Sequence, residues 1–175
     1  DVVWEYLIAG GHTRFAAVFL SNSPDRVGPV RSMRLPDFEI ARMYDAMLVT
    51  SGMSIGTGEI LKNDGWMLKR TYSGEDPCPA LCRDIELDRA WEHTLMANTD
   101  AMRDLFTDLG RETEPEFPIV GLAFDEEVPA TGRPIDSAVA RYSNAEVEWT
   151  YDEARNVWMR SHDGEPHLDA TSGEQ

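Results

Sequence analysis

The stretch LPDFEIARMYDAMLVTSGMS, residues 35–54, contains a helix signal, a strand signal and a tight loop in direct succession. Pro36 suits the first turn of a helix because its fixed φ is helical and its missing N–H is not needed there. Asp37 suits the same turn because a carboxylate stabilises the positive end of the helix dipole. The continuous apolar run at 46–50 is typical of a strand that is covered on both faces. Residues 51–54 then form a loop that leads into a second predicted helix.

A predicted strand precedes this stretch and extends the pattern. Residues 13–20 (TRFAAVFL) are rich in β-branched and aromatic side chains, and residues 2–8 are also β-prone. The order is therefore strand, loop, helix, strand, loop, helix, which favours a parallel arrangement of strands with helices packed on them. We predict an α/β fold, with a mixed sheet and flanking helices in the N-terminal part of the chain.

The pattern changes from helical to strand-like in the second half of the chain. The clearest helix signal lies at 98–109, where apolar residues recur at helical spacing between capping residues. A linker is predicted at 112–118, and the boundary between two domains is placed there. We predict an N-terminal α/β domain of residues 1–115 and a smaller strand-rich domain of residues 119–175. Its predicted strands are 119–124, 137–143, 146–151 and 156–161.

The charge of the chain excludes two classes of partner. It has 32 acidic residues against 16 basic ones, a formal net charge of −16. Nucleic acid and anionic lipid both require a basic surface, so we expect neither as a partner. No apolar run is long enough to span a membrane, so no transmembrane segment is predicted. The glycine-rich segments lack the lysine and the spacing of phosphate or dinucleotide motifs, so no cofactor is predicted.

Two cysteines, Cys78 and Cys82, stand four positions apart. No second pair of cysteines and no histidines at ligand spacing accompany them, so no metal site is predicted. Their spacing also differs from the C-x-x-C of redox-active pairs. A small local disulfide in an exported protein is the preferred interpretation, and two free thiols are the alternative.

Arg26, Arg31 and Arg34 follow one another closely after the first predicted strand. In parallel α/β sheets, ligands bind outside the carboxyl ends of the strands, where loops lead into helices. If the strands at 13–20 and 46–50 are neighbours, this loop and the loop at 51–54 meet at one edge. Guanidinium groups and helix N-terminal amides at that edge would bind a carboxylate or a phosphate.

A second interpretation of these arginines stays open. Arg31 and Arg34 would pair with Glu5, Asp37 or Asp45 and tie the domain together without any ligand. Burial and ion pairing of the two guanidinium groups distinguish the two interpretations.

The histidines are the remaining candidates for chemistry. His93 and His167 are candidate acid–base groups, and Asp169 stands two residues after His167, so the two side chains could share one side of a strand. Neither histidine belongs to a metal-binding motif such as H-E-x-x-H. A structural role for all three residues is the alternative.

Several motifs together resemble one bacterial family. GGHTRF at 10–15, VGPVRSMR at 27–34, SGMS at 51–54, WTYD at 149–152 and GEPHLD at 164–169 are similar to motifs of the YerB-like family, DUF3048, and occur in the family's order. The arginine motif is the most specific of them. The segment His-Thr-Leu beginning at residue 93 departs from the family's His-Asn-Leu by one residue.

The resemblance implies an exported bacterial lipoprotein with two α/β-containing domains and no established activity. The family's leader and lipid-bearing cysteine are not in this sequence, and membrane association would therefore come only through an anchor outside it. The chain also stops before the closing strands expected of the family, so we expect the second domain to be incomplete.

These observations lead to a binding or interaction protein of the cell envelope as the first hypothesis. Its partner would be an anionic small molecule or peptide recognised through the Arg31 and Arg34 loop, and protein partners are also compatible. A cell-envelope hydrolase that uses His93 or His167 is the first alternative, and a structural subunit of a surface assembly is the second. The predicted ligand-binding residues are Arg14, Arg31, Ser32, Arg34, Ser51 and Ser54.

Overall fold

The computed structural model describes residues 1–111, 130–170 and 172–175. It has a mixed α/β fold with several small sheets, and the described residues divide into two compact units. The first unit contains residues 1–4 and 16–111, and the second contains residues 5–15, 130–170 and 172–175. The predicted linker at 112–118 and the predicted strand at 119–124 lie outside the described residues.

The chain begins with a hairpin of β1 (Val2–Leu7) and β2 (Thr13–Val18). Gly10 and Gly11 connect the two strands with φ values of 85° and 78°, a left-handed conformation that glycine adopts without steric cost. Residues 1–4 and 16–18 of this hairpin belong to the first unit, and the turn between them belongs to the second.

The stretch at 35–54 forms the predicted succession of elements. Helix α1 (Leu35–Met43) begins after Arg34, whose backbone N–H donates to the Asp37 carboxylate over 2.6 Å. Strand β3 (Leu48–Thr50) follows, and then helix α2 (Ile55–Lys62). These bounds confirm the helix, the strand and the loop predicted between residues 36 and 61.

One parallel pair of strands is present in the first unit. Strand β3 pairs with β4 (Thr71–Ser73), and the crossover between them consists of α2 and a further helix, α3 (Gly65–Arg70). The condition that the strands at 13–20 and 46–50 are neighbours is not met among the described strands, because β2 pairs with β1 and β3 pairs with β4.

Two clusters of buried side chains form the core of the first unit. One gathers around helix α4 (Thr99–Asp108) and a pair of short strands, β5 (Leu81–Arg83) and β6 (Leu95–Ala97). The other gathers where α1, α2 and α3 meet. The first cluster contains Ala80, Leu81, Leu95, Ala97, Met102 and Phe106, and the second contains Met33, Phe38, Ala41, Leu61 and Met67.

Helix α4 has a side-chain cap that can be tested directly. The Asn98 Oδ1 accepts a hydrogen bond of 2.9 Å from the Ala101 backbone N–H, which has no partner within the helix. We expect Asn98→Ala to lower the free energy of unfolding by about 1 kcal/mol, a typical value for loss of such a cap. Urea denaturation followed by far-UV circular dichroism measures this change. Thr107→Ala, at the other end of the helix, is the control, and an equal loss there would contradict a capping role for Asn98.

A buried ion pair lies beside the second cluster. Arg70 Nη2 is 2.7 Å from Asp45 Oδ1, and both residues are less than 10% exposed. The guanidinium of Arg70 also lies 4.7 Å from the centre of the Trp66 ring. Two buried charges are tolerated here because each neutralises the other.

The second unit contains a four-stranded antiparallel sheet of β7 (Ser137–Tyr142), β8 (Ala145–Asp152), β9 (Val157–His162) and β10 (Glu165–Pro166). Their order in the sheet is β10, β9, β8, β7. Strands β8 and β9 are joined by a turn in which Asp152 Oδ1 accepts hydrogen bonds from the Ala154 and Arg155 amides. Tyr151 and Trp158 stand opposite each other in the register, with ring centres 5.4 Å apart. Strands β7, β8 and β9 confirm the three strands that the sequence predicts after residue 136.

Candidate functional site

The loops at 31–34 and 50–54 are joined by one buried hydroxyl. Thr50 is 1% exposed, and its Oγ1 accepts a hydrogen bond of 2.8 Å from the Met33 amide. The same oxygen lies 3.0 and 2.8 Å from the carbonyl oxygens of Arg31 and Gly52, and it donates its proton to one of them. The Ser51 amide donates to the Arg31 carbonyl over 3.3 Å. The two loops therefore meet as expected, but through Thr50 and not through neighbouring strands.

Arg31 extends from this loop to a short 3₁₀ helix at 91–93. Its Nη1 donates to the Glu92 carbonyl over 2.8 Å and lies 3.2 Å from His93 Nδ1. His93 is exposed and Arg31 is partly exposed. The structure thus brings together a predicted ligand-binding residue and a predicted acid–base residue, which the sequence analysis treated separately.

The Arg34 side chain folds back on its own loop. Its Nη1 donates to the carbonyl oxygens of Ser32 and Met33, over 3.1 and 2.9 Å. Both guanidinium groups therefore donate to backbone carbonyl oxygens, and that of Arg31 also lies beside an imidazole. Within the described residues, no ion pair includes Arg31 or Arg34.

The carboxylates proposed as alternative partners are engaged elsewhere. Asp45 pairs with Arg70, and Glu5 pairs with Arg160. Asp37 accepts the backbone N–H of Arg34, so its contact with that residue caps helix α1. The interpretation in which Arg31 and Arg34 tie the domain together by ion pairs therefore lacks support in the described part of the chain.

The start of helix α2 is an open surface lined by glycine. Ser54 caps the helix, because its Oγ accepts a hydrogen bond of 3.2 Å from the Thr57 amide. A Cβ atom at Gly52 or Gly56 would meet no atom within 4 Å. The amides of Ile55 and Gly56 have no partner within the helix, and both residues are exposed, whereas Thr57 is buried. These two amides lie next to the loop that Thr50 joins to the backbone of Arg31.

Arg14, His167 and Asp169 belong to the second compact unit. Arg14 is partly exposed in strand β2. Asp169 closes a turn by accepting a hydrogen bond of 2.7 Å from the Ser172 amide. These residues are thus not part of the compact unit that contains the Arg31 loop, and their predicted roles stay predictions.

Arg160 is the centre of a second group of side chains, which we call the Arg160 cluster (Glu5, Thr13, Phe15, Arg160 and His167). Its Nη2 donates to Glu5 Oε1 over 2.8 Å, and Thr13 Oγ1 donates to the same oxygen over 2.7 Å. Its Nη1 lies 2.9 Å from His167 Nδ1. The guanidinium also lies 5.0 Å from the centre of the Phe15 ring.

The environment of His167 lowers its pKa. His167 is an exposed residue whose ring is partly covered, and this partial burial, which disfavours the imidazolium form, is the first cause. The second cause is the positive charge of Arg160. Glu5 acts in the opposite direction, and His162 reinforces the lowering. Because Arg160 donates to Nδ1, the neutral ring carries its proton on Nε2.

The Arg160 cluster could not be predicted as a group from the sequence. Arg160 and its partner Glu5 stand 155 residues apart in the chain. Side chains alternate between the two faces of strands β8 and β9, and Arg160 stands opposite Trp149 in the register. This alternation is the local signal that could have indicated an arginine on the same face as Trp149.

The two cysteines form a disulfide in the structure. No group of three or more histidine, cysteine, aspartate or glutamate side chains among the described residues is arranged to hold a metal ion. None of the described helices combines the length and the apolar composition needed to cross a membrane.

Comparison with known families agrees with the motifs. A profile described as the N-terminal domain of the protein of unknown function DUF3048 matches residues 1–112, and the profile of the C-terminal domain matches residues 138–175. The chain belongs to the DUF3048 family. The resemblance to this family in the sequence is thereby confirmed.

A relative from Bacillus subtilis (strain 168) has the name "Putative lipoprotein YerB". It is 26% identical to the chain over 176 residues, which cover 99% of this DUF3048 chain and 52% of the relative. The crystal structure of the YerB protein from Bacillus subtilis matches with a TM-score of 0.75 at 26% identity, over 99% of this chain and 57% of that one. The chain therefore spans about half the length of these relatives. Its α/β fold is the same as that of the matching part of the YerB structure.

Proposed function

We propose that the chain is an extracytoplasmic binding protein of the bacterial cell envelope. We further propose that it recognises an anionic group, a carboxylate or a phosphate, at the Arg31 surface (Arg31, Arg34, His93 and residues 51–56). The name of the Bacillus subtilis relative supports the location. So does the disulfide between Cys78 and Cys82, because such bonds persist mainly in oxidising compartments.

The observation that carries the proposal is the pairing of Arg31. The guanidinium contacts only a carbonyl oxygen and an imidazole, and it forms no ion pair with any described residue. Carboxylates outnumber cations two to one in this chain, and Arg26 in the same loop is paired with Asp84 at 2.7 Å. The charge of Arg31 is thus available to a ligand, and its planar donors suit carboxylate or phosphate oxygens.

The start of helix α2 supports the same ligand chemistry. The amides of Ile55 and Gly56 form the positive end of the helix dipole, and Gly52 and Gly56 leave room for a ligand to approach the backbone. Thr50 holds this loop against the backbone of Arg31. An anion at this surface could therefore accept hydrogen bonds from the backbone as well as from a guanidinium.

Titration with inorganic phosphate and with citrate, followed by ¹H–¹⁵N correlation spectra, tests the proposal. We expect amide shifts at residues 54–57 and about 10- to 100-fold weaker binding in Arg31→Ala, as for loss of a charged hydrogen-bond donor. Arg26→Ala is the matched control, because it removes a nearby arginine that is already paired with Asp84. Equal weakening in both variants, or shifts confined to other regions, would show that Arg31 is not the binding residue.

The other two hypotheses have less support. Among the described residues, neither His93 nor His167 has a hydrogen bond to a hydroxyl, a thiol or a carboxylate, which a hydrolase would use to activate a nucleophile. If the chain hydrolyses envelope peptides or glycans, and if replacement of His93 abolishes this hydrolysis, the hydrolase hypothesis is favoured. A concentration-dependent sedimentation coefficient would favour the surface assembly.

A further inference from the structure

The segment at 165–170 lies along strand β9 in the second unit. Glu165 and Pro166 pair with His162 and Ser161, and the His167 amide donates to the Arg160 carbonyl over 2.9 Å. Beyond His167 the chain leaves this strand and enters the turn that Asp169 closes. The side chain of His167 therefore stands at the point where the segment leaves the sheet.

We propose that His167 is a pH-sensitive clasp, whose neutral ring holds the 165–170 segment against strand β9 and whose protonation releases it. The neutral ring makes two contacts. Its Nδ1 accepts a hydrogen bond from Arg160 Nη1 at 2.9 Å, and its plane stacks on Phe15 at 5.6 Å between ring centres. Both partners lie in the same compact unit as the segment.

Protonation removes the first of these contacts by simple chemistry. An imidazolium ion carries hydrogen on both nitrogens and has no lone pair to accept the Arg160 N–H. The added hydrogen on Nδ1 would point at a guanidinium hydrogen, and two positive charges would then face each other. The ring can relieve this conflict only by turning away from Arg160, which also ends its stacking on Phe15.

Three charged or titratable groups face this ring. Arg160 contacts it directly and opposes protonation. Glu5 favours protonation of His167, but its Oε1 already accepts hydrogen bonds from Arg160 and Thr13. His162 stands in the register opposite Glu165 and opposes protonation of His167. The burial of the ring acts in the same direction as the two basic groups.

The sign of the pH dependence follows from a lowered pKa. The contact stabilises the segment fully above the ordinary histidine pKa of 6.5, where the ring is neutral in both the docked and the released state. As the pH falls below 6.5, the released state binds a proton more readily, so the segment loses stability until the docked ring is also protonated. The clasp is closed at neutral pH and opens in acid.

Hydrogen exchange measured by NMR tests the clasp. We expect the His167 amide to lose protection as the pH falls from 7.5 to 5.0, after correction for the intrinsic exchange rate. In His167→Gln the amide oxygen can accept from Arg160 without titrating, so protection is expected to persist over the same range. His162→Gln is the matched control, because His162 lies on the same sheet without a hydrogen bond to Arg160. It should still lose protection in acid, but by slightly less than the unmodified chain, because the repulsion between His162 and His167 is removed.

Two results would overturn the proposal. If His167→Gln loses as much protection in acid as the unmodified chain, a group other than His167 causes the opening. If the unmodified chain keeps its protection in acid, no opening occurs. The ring of the unmodified chain gives a second measurement, which does not depend on the folding of a variant. Its ¹⁵N shifts should show the tautomer with the proton on Nε2 at pH 7.5, and the opposite tautomer would contradict the geometry.

Discussion

Replacement of Asp45 by asparagine is expected to lower the free energy of unfolding by about 3–5 kcal/mol, because it leaves the buried guanidinium of Arg70 without its counter-charge. Asp45 is 1% exposed and Arg70 is 8% exposed, so water cannot replace the lost partner. Asp45 also has a φ of 49°, and asparagine tolerates this left-handed conformation as well as aspartate does. The substitution therefore isolates the charge from any effect on the backbone.

Urea denaturation followed by far-UV circular dichroism measures this effect. Asp84→Asn is the matched control, because Asp84 pairs with Arg26 at the surface over 2.7 Å. That pair is partly exposed, and its loss is expected to cost less than about 1 kcal/mol. Similar losses in the two variants would mean that burial does not determine the contribution of the Asp45 pair.

Replacement of Glu5 by alanine is expected to destabilise the second unit by about 3 kcal/mol, the lower end of the range for breaking a buried ion pair. The side chains of Glu5 and Arg160 are 9% and 15% exposed. Glu5 also accepts the Thr13 hydroxyl, so its removal leaves that donor unpaired as well. The rings of Phe15 and Trp149 beside Arg160 would then face a buried charge without a counter-ion.

The loss can be localised by following tryptophan indole signals from Trp149 and Trp158 during urea denaturation by NMR. Glu146→Ala is the control in the same sheet, because the pair of Glu146 with Arg141 is exposed on both sides. We expect Glu146→Ala to lower the free energy of unfolding by less than about 1 kcal/mol. If both variants unfold at the same urea concentration as the unmodified chain, the Arg160 cluster does not hold this unit together.

Local sequence signals were sufficient for the long elements. Helix α4 has apolar residues at helical spacing and an asparagine cap, and the β8–β9 hairpin has alternating strands around an Asp152 turn. Each of these signals lies within one element, so pairing with distant residues is not needed to detect it. Helix α1 was predictable for the same reason, from Pro36 and Asp37.

The short elements and the long-range contacts were not predictable in this way. Strands β4, β5 and β6 have three residues each, too few to show a period. Helix α3 has six residues, fewer than two helical turns, which is too short to show a helical period. The contact between Arg31 and His93 joins residues 62 positions apart, and it depends on where the 3₁₀ helix lies.

The spacing of Cys78 and Cys82 likewise could not select a redox state, because a short loop permits both the disulfide and the free thiols. The sequence could not show whether the strands at 13–20 and 46–50 are neighbours, because strand pairing depends on distant contacts. They lie in separate sheets, and the two loops come together through Thr50.

The parallel pairing of β3 with β4 has a kinetic consequence. The paired residues stand 23 positions apart in the chain (Leu48 with Thr71), and we expect them to meet late in folding because closing the loop between them costs entropy first. Thr50 ends β3, so the hydroxyl that joins the two loops reaches its partners in the same late step. Contacts made after the folding transition state affect mainly the unfolding rate. An anion bound at the Arg31 surface would therefore prolong the lifetime of the folded chain while leaving its rate of folding almost unchanged.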